Sequence, residues 1–175
     1  MAGQTVNGAT PILPYDCINP DDFLQTPSGR VWTPERNQVA WEHAFAQLTR
    51  AVSRAATDAA NQRMRDLYLV CGLQGAGKST WIRNNAPRLA PCIFFDAALP
   101  RATHRLPVLA IARGAGAKVH AIWIHAPLEV ALRRNAQRRL DERVPEASIR
   151  SVAEQFEPPS VSEGFADILC VELRD

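Results

Sequence analysis

The chain has 175 residues, of which 46% are hydrophobic, and its formal net charge at pH 7 is only +2. A chain of this length suits one domain and can bury about 70% of the surface that its unfolded form exposes. The near-neutral charge does not indicate a protein that binds a long polyanion over a broad basic surface.

The N-terminal third of the chain predicts an arm followed by one long helix. Residues 1–32 contain four prolines among several Gly, Asn and Asp, which predicts an extended arm without regular structure. Thr33 is a candidate N-cap, Pro34 suits the first helical position, and apolar residues then recur at helical spacing. We expect residues 33–65 to supply a helix that packs on the core rather than a separate recognition domain.

Residues 66–175 alternate short apolar runs with helical patterns and are expected to form the core. The predicted strands cover 67–71, 92–95, 119–124 and 168–173, and the predicted helices cover 78–85, 100–114, 128–140 and 145–156. Pro87 is expected to end the first of these helices, and Pro107 to kink the second or to mark its regular start. This alternation predicts an α/β fold with a parallel sheet covered on both faces and ligands at the carboxyl ends of its strands.

A glycine-rich loop, the P-loop, follows the first predicted core strand. Residues 72–79, GLQGAGKS, match the phosphate-binding template G-x-x-x-x-G-K-[ST] at every fixed position. Glycines let backbone N–H groups point at a polyphosphate, and the next helix aims its positive dipole end there. Lys78 is expected on the β- and γ-phosphates and the Ser79 hydroxyl on Mg²⁺. The expected nucleotide-binding residues here are Gly72, Gln74, Gly75, Ala76, Gly77, Lys78, Ser79 and Thr80.

Asp96 ends the strand that is expected to lie beside the P-loop strand, so its carboxylate should point into the phosphate site. Two roles at that site are open. Asp96 holds the Mg²⁺, usually through water, or it accepts the proton of an attacking hydroxyl. The structural alternative is an N-cap for the helix that begins near Pro100.

Five arginines, Arg133, Arg134, Arg138, Arg139 and Arg143, lie in and after the third predicted core helix. Arg134 and Arg138 are four residues apart, which places them on one helical face where both could close over a triphosphate. A transferring phosphoryl group needs such cations, and the place of this helix in the chain favours that role over a solvated surface.

Other residues give weaker signals. Four cysteines without C-x-x-C spacing, three of them in apolar runs, predict reduced, buried thiols in a cytoplasmic protein. His104 could meet a substrate together with Arg101 and Arg105, although a surface histidine is the simpler interpretation. The first thirty residues lack a secretion signal and no apolar run is long enough to span a membrane, so no membrane contact is expected.

Four motifs accompany the P-loop and Asp96: R-N-x-x-R at 134–138, RVPE at 143–146, F-E-x-P at 156–159 and EGF at 163–165. Over residues 66–175 the chain resembles the P-loop kinases grouped around the polynucleotide 5′-kinase and zeta-toxin folds. The resemblance implies a P-loop NTPase-type fold and a lid helix over residues 127–143.

The resemblance also implies roles for individual residues. ATP and Mg²⁺ are bound through Lys78 and Ser79, and Asp96 is the general base. Arg134 and Arg138 clamp the phosphates from the lid. Asn135 orients the lid or contacts adenine.

The chain departs from this family in one respect. Many such kinases carry an Asp-x-x-Arg signature after the second strand and an Asp-x-[ST]-Asn signature after the next strand, with a helix between them. Only sixteen residues separate Ser79 from Asp96, which leaves space for one short helix and one strand. Residues 96–101 therefore stand in for both signatures and lack the Asn, so the phosphoryl acceptor stays open.

The leading hypothesis is an ATP- and Mg²⁺-dependent kinase. Its acceptor is a hydroxyl of a small molecule, a nucleotide or a nucleic-acid 5′ end, and the low net charge favours a small acceptor. One alternative is a nucleotide-binding switch or ATPase whose long N-terminal helix contacts a protein partner. Another is a nucleic-acid-binding module that uses the arginines without catalysis. The oligomeric state is not determined by the sequence.

Overall fold

A computed structural model describes residues 15–58 and 66–173 of the chain. Its helices are α1 (Pro34–Asp58), α2 (Lys78–Leu89), α3 (Ala102–Gly114), α4 (Leu128–Ala136) and α5 (Glu146–Glu154). Its strands are β1 (Tyr15–Ile18), β2 (Gln25–Thr26), β3 (Gly29–Arg30), β4 (Asp66–Cys71), β5 (Cys92–Asp96), β6 (Val119–His125) and β7 (Asp167–Glu172). Residues 1–14 of the expected arm, 59–65 of the expected long helix and 174–175 lie outside the described residues.

Five parallel strands form the central sheet in the order β1-β5-β4-β6-β7. The strand β4, which leads into the P-loop, lies at the centre, and its Val70 pairs with Asp96 of β5. The parallel sheet and the helices on both of its faces confirm the predicted α/β fold. Because the carboxyl ends of parallel strands meet at one edge, the P-loop and Asp96 emerge side by side.

Alternate side chains of β4 pack against different helices. On one face, Leu69 belongs to a buried cluster with Leu48 of α1 and Leu109 of α3. On the other face, Val70 packs in a second cluster with Ile82 of α2. The helix α1 is therefore one of the two helices that cover the first face of the sheet. Among the described residues, no helix is both long enough and apolar enough to cross a membrane.

The N-terminal segment forms regular structure where the sequence predicts none. Residues 15–18 form β1 at the edge of the sheet, where Ile18 is fully buried, and β2 and β3 form a short hairpin before α1. Four residues are too few to show a recognisable hydrophobic pattern, and residues 15–18 form a strand because they pair with β5. The start of α1 is as expected, since Thr33 Oγ1 accepts a hydrogen bond from the backbone N–H of Arg36 at 3.2 Å.

Two prolines lie inside helices without ending them. The helix α2 continues through Pro87 to Leu89, beyond its predicted end, and α3 runs unbroken across Pro107. Pro87 lies in the last turn, so its missing N–H removes one hydrogen bond, while Ala90 N still donates to Ala86 O at 2.9 Å.

None of the four cysteines forms a disulfide, and only part of the burial expectation is met. Cys71 and Cys92 are buried in the two central strands, whereas Cys170 is exposed. The reason is the position of Cys170 in β7, which lies at the outer edge of the sheet and alternates between partly covered and exposed residues.

Arg105 is a fully buried side chain that ties the loop after β5 to the C-terminal segment. Its guanidinium donates two hydrogen bonds to the Glu163 carboxylate, at 2.7 and 2.8 Å, and one each to the carbonyl oxygens of Leu99 and Glu157 at 3.0 Å. Burial acts to raise the pKa of Glu163, but hydrogen bonds from Arg105 and from the Ser160 backbone hold that pKa below its usual range. Arg105 is therefore a structural anchor and is not accessible to a substrate.

Replacing Arg105 with Met is expected to lower the free energy of unfolding by about 3–5 kcal/mol, since Glu163 would keep a buried charge without its partner. Urea denaturation followed by tryptophan fluorescence measures this loss. The matched control is Arg101→Met, an exposed arginine just before α3, with an expected change of less than about 0.5 kcal/mol. Adding Glu163→Gln to Arg105→Met should recover part of the loss. If Arg105→Met alone had the same free energy of unfolding as the wild type, the anchor role would be contradicted.

Candidate active site

The P-loop joins β4 to α2 and adopts a backbone that its glycines permit. Gly75 has a φ of +86°, and a Cβ at this position would clash with the carbonyl oxygen of Ala131 in α4. Gly77 has a φ of +100° directly before Lys78, the first residue of α2. The loop therefore packs closely against α4, and the N-terminus of α2 borders the cleft in front of the loop.

The ammonium group of Lys78 is held by the P-loop itself. Its Nζ donates to the carbonyl oxygens of Gly72 and Leu73 at 3.0 and 3.1 Å. Burial lowers the pKa of Lys78, the Asp96 carboxylate acts against this, and the positive charge of Arg138 adds to the lowering. An anion entering the cleft would favour the charged form of this lysine, which burial disfavours.

Asp96 is 2% exposed and lies against the first turn of α2. The Ser79 hydroxyl donates to Asp96 Oδ2 at 2.8 Å. The sheet register brings the two groups together, because Asp96 pairs with Val70 two residues before the P-loop. A further backbone bond, from Gly72 N to Ala98 O at 3.2 Å, holds the loop after Asp96 to the start of the P-loop.

Buried polar atoms without a hydrogen-bond partner concentrate in this cleft. Within the described ranges there are four such side-chain atoms, and three of them, Arg30 Nε, Gln74 Oε1 and Asp96 Oδ1, belong to residues that line the cleft. The fourth, His120 Nε2, lies 3.2 Å from the Asp66 carboxylate. Leaving a buried polar atom unpaired costs about 1–3 kcal/mol. Three such atoms in one cleft indicate a site that a polar ligand completes.

The cleft has a volume of about 610 Å³, and eight of its twenty lining residues carry charge. These residues are Asp21, Asp22, Arg30, Lys78, Arg83, Asp96, Arg138 and Glu142. Both signs of charge are present, which suits a ligand that combines anionic groups with a cation.

The N-terminal segment supplies one wall of the cleft, and sequence reasoning missed it. Asp21 follows β1, and its carboxylate lies 3.4 Å from Arg30 Nη1 of β3. Burial raises the pKa of Asp21, while Arg30 and Lys78 act to lower it. The strand β1 runs parallel to β5, so the residues that follow it emerge beside Asp96. The sequence signal is the acidic pair at residues 21–22. This pair indicates a site residue only when β1 is known to be a strand that ends beside Asp96.

The lid differs from the predicted helix over residues 127–143. The helix α4 ends at Ala136, and a 3-10 turn occupies Leu140–Glu142. Asn135 explains the change of direction, because its Nδ2 donates to Val144 O at 2.8 Å and its Oδ1 accepts from Val144 N at 3.0 Å. Asn135 therefore holds Val144 against the end of α4, and its roles in orienting a lid or contacting adenine stay predictions.

Arg138 and Arg134 reach the P-loop from different elements. Arg138 lies beyond the end of α4, so the helical spacing expected between the two arginines does not apply. It nevertheless lines the cleft together with Lys78 and Asp96. Arg134 lies in the last turn of α4 and borders the P-loop, since a Cβ built at Gly77 would be 3.9 Å from its Nη1.

Some of the other predicted site residues line the cleft, and others do not. The predicted nucleotide-binding residues that line the cleft are Gln74, Gly75, Gly77, Lys78, Ser79 and Thr80, whereas Gly72 and Ala76 are buried. The N-cap of α3 is Arg101, so Asp96 does not cap this helix. His104 is exposed near the start of α3.

Ser79 and Asp96 together fit a hard divalent cation. Asp96 offers a buried oxygen without a protein partner next to the Ser79 hydroxyl. Mg²⁺ is usually bound through one or two carboxylates, with phosphate oxygens and water as its other ligands. In residues 15–58 and 66–173, no three His, Cys, Asp or Glu side chains form a metal site by themselves. A cation at Asp96 would therefore take its other ligands from phosphate and water.

The glycine loop between β4 and α2, the carboxylate at the end of the neighbouring strand and the covered parallel sheet define a P-loop NTPase-type α/β fold. A model of the AAA domain family AAA_33 matches residues 85–159, which is less than half of the chain. The matched part contains Asp96, Arg134 and Arg138, and the P-loop precedes it. A comparison with curated proteins found no match.

Similar solved structures include three of the AvrRxo1-ORF1:AvrRxo1-ORF2 complex: the native complex, the complex with sulphate ions and the complex with ATP. Each is 16% identical to this chain, with TM-scores of 0.46, 0.45 and 0.46. The similarity covers 69% of this chain and 56% of the other, so this chain spans little more than half of that length.

Replacing Asp21 with Asn is expected to raise the unfolding temperature at neutral pH. Because burial raises the pKa of Asp21 in the folded state, ionisation of this carboxyl destabilises the fold. The destabilisation is absent below the unfolded pKa of about 3.9 and grows as pH rises through the folded pKa. Melting temperatures of the variant and the wild type should therefore coincide near pH 4 and separate towards pH 7.

Differential scanning fluorimetry over this pH range provides the measurement. Glu154→Gln removes an exposed carboxylate of α5 and should follow the wild type at every pH. A lower melting temperature of Asp21→Asn than of the wild type at pH 7 would show that the ion pair with Arg30 outweighs the burial of Asp21.

Proposed function

We propose that this chain is an ATP- and Mg²⁺-dependent phosphotransferase that moves the γ-phosphoryl group of ATP to a hydroxyl. The observation that carries the proposal is the environment of the Asp96 carboxylate. One of its oxygens accepts from the Ser79 hydroxyl at 2.8 Å, and the other is buried without a protein partner in the same cleft. A carboxylate with a free oxygen beside a phosphate-binding loop suits proton removal from an attacking alcohol.

The P-loop supports the donor side of the proposal. Its backbone N–H groups and the N-terminus of α2 suit the phosphates of ATP. Lys78 is already within the loop, 3.0 Å from Gly72 O, and would exchange this contact for the β- and γ-phosphate oxygens. Gln74 and Thr80 line the same cleft and extend the surface available to the nucleotide.

Ser79 and Asp96 are the residues that would hold Mg²⁺, which when bound neutralises negative charge on the β- and γ-phosphates. Asp96 has two carboxylate oxygens, and only one of them is used within the protein. The same side chain can therefore hold the ion, act as base, or do both.

The transfer step follows from these positions. Asp96 accepts the proton of the acceptor hydroxyl, whose oxygen forms a new bond to the γ-phosphorus. The bond from this phosphorus to the β–γ bridging oxygen breaks, and ADP leaves. Arg138, which lines the cleft, stabilises the negative charge on the transferring group, and Arg134 supports it from beside the P-loop.

A small acceptor is favoured over a nucleic-acid 5′ end, because the net charge is only +2. A nucleotide acceptor is part of the same proposal. The four cysteines form no disulfide, which supports action in the reducing cytoplasm. A switch that contacts a partner through α1 has less support, since Asn37 and Trp41 of α1 line the cleft itself.

Asp96→Asn is expected to lower the rate of phosphoryl transfer by about 10²–10⁴-fold, because the amide cannot accept the proton. ATP binding, measured by isothermal titration calorimetry, should persist in Asp96→Asn and be lost in Lys78→Ala. Transfer is measured with γ-labelled ATP over a panel of oligonucleotides, nucleosides, sugar nucleotides and aminoglycosides. Unchanged transfer by Asp96→Asn would exclude Asp96 as base. ADP release that no hydroxyl compound accelerates would instead favour the switch.

Arg138→Ala is expected to lower kcat by about 10²–10³-fold, since it removes a cation that faces the transferring group. Arg139→Ala is the matched control, because the neighbouring Arg139 is exposed and pairs with Asp141 at 3.3 Å rather than facing the cleft. Steady-state kinetics with the acceptor found by the panel compare the two variants. Equal effects of the two substitutions would assign Arg138 a general electrostatic role instead.

A further inference from the structure

A second cavity, of about 800 Å³, meets the phosphate cleft at Trp41 and Ala98, which line both spaces. It is an open cavity lined by residues of α1, the loop after β5, the start of α3 and the helix α5. Its volume falls within the range of about 300–1,000 Å³ that is typical of small-molecule sites. No residue of the P-loop lines this space, and neither do Asp96, Arg134 and Arg138.

The lining of this cavity, the acceptor pocket, is chemically unlike that of the phosphate cleft. None of its thirteen lining residues is Asp, Glu, Lys or Arg, and His104 is its one basic side chain. The walls combine apolar side chains with neutral hydroxyl and amide groups, such as Thr103, Ser148 and Gln155. A phosphate group would find no fixed cation there, whereas an uncharged ring and sugar hydroxyls would find suitable contacts.

The aromatic wall of the acceptor pocket, formed by Trp41 and Phe45, packs against Phe95 in the buried core. The rings of Trp41 and Phe45 lie 5.5 Å apart, and Phe45 stacks on Phe95 at 6.1 Å with an interplanar angle of 7°. Phe95 is fully buried and directly precedes Asp96 in β5. The position of this wall is therefore tied to that of the carboxylate.

The floor of the acceptor pocket is also fixed in place. Leu99, which lines it, has a φ of +44°, an unusual backbone conformation for a residue with a side chain. Arg105 stabilises this conformation by donating to the Leu99 carbonyl oxygen at 3.0 Å. A hydrogen bond from Arg105 thus holds Leu99, and ring contacts join the aromatic wall to Phe95, the residue before Asp96.

We propose that the acceptor pocket binds the phosphoryl acceptor, and that this acceptor is a neutral alcohol with a flat aromatic ring, such as an unphosphorylated nucleoside or an aromatic glycoside. The ring packs against Trp41 and Phe45, and the hydroxyl that is phosphorylated points past Ala98 towards Asp96. The transfer step rests on the proposed function, whereas binding in the pocket does not.

The test uses the full chain and two variants of α5. Ser151→Trp places a large side chain at a residue that lines the pocket, and Glu154→Trp places the same side chain at an exposed residue of α5 outside the pocket lining. The probes are the four ribonucleosides, their 5′-monophosphates and p-nitrophenyl glucoside. Binding is measured by saturation-transfer NMR and calorimetry, transfer with γ-labelled ATP, and ATP binding separately by calorimetry.

We expect a ribonucleoside or the glucoside to bind and to be phosphorylated in preference to the monophosphates. Ser151→Trp should weaken this binding, and raise KM, by at least about tenfold with ATP affinity unchanged, while Glu154→Trp matches the wild type. If the wild type bound a neutral probe but did not phosphorylate it, and Ser151→Trp abolished this binding, the pocket would be supported and the phosphotransferase contradicted. Two results would overturn the pocket assignment and leave the phosphotransferase intact: preferred transfer to monophosphates or oligonucleotides, and an acceptor KM unaffected by Ser151→Trp. Failure of every neutral probe to bind would also overturn the assignment.

Discussion

The pairing of β4 with β5 is the constraint on which the rest of the site depends. It places Asp96 opposite Val70 and brings its carboxylate within 2.8 Å of the Ser79 hydroxyl. Since successive residues of a strand face opposite sides of the sheet, a register shift of one residue would remove the carboxylate from the P-loop. Arg105 stabilises the same arrangement, because it donates a hydrogen bond to the Leu99 carbonyl oxygen in the loop that follows Asp96.

Several features of the cleft oppose the stability of the fold. Three buried polar atoms in it lack a protein partner, and Leu99, which lines the adjoining acceptor pocket, has a φ of +44°. Each such feature costs about 1–3 kcal/mol. The two buried clusters on either side of the sheet provide the packing that tolerates these costs. A polar ligand in the cleft that pairs the three polar atoms would recover part of that free energy.

The lining residues of the two cavities differ in charge. The phosphate cleft combines cations and carboxylates, whereas the adjoining pocket is lined by neutral groups apart from His104. Trp41 of α1 stands at the boundary between them. The AAA domain match begins at residue 85, so the P-loop, the segment after β1, the hairpin and α1 all lie outside it, although they supply residues that line these cavities. The N-terminal segment therefore contributes residues to both cavities, with Trp41 shared between them.

Local patterns were enough to predict the P-loop, the parallel α/β sheet and the position of Asp96, because glycine conformation, strand alternation and the order of elements act over short stretches of chain. Other features depend on contacts between distant residues, which a single sequence does not display. The strand β1 exists because it pairs with β5, and Asp21 enters the cleft only through that pairing. Arg138 reaches the cleft because Asn135 binds Val144 and turns the chain after α4, and Arg105 is buried because Glu163 folds back onto it. The sequence by itself determined the chemistry of the phosphate loop and the place of Asp96 at the end of its strand, because these depend on local patterns. The tertiary structure decided which further charged side chains, such as Asp21 and Arg30, line the cleft, because they reach it only through contacts between distant parts of the chain.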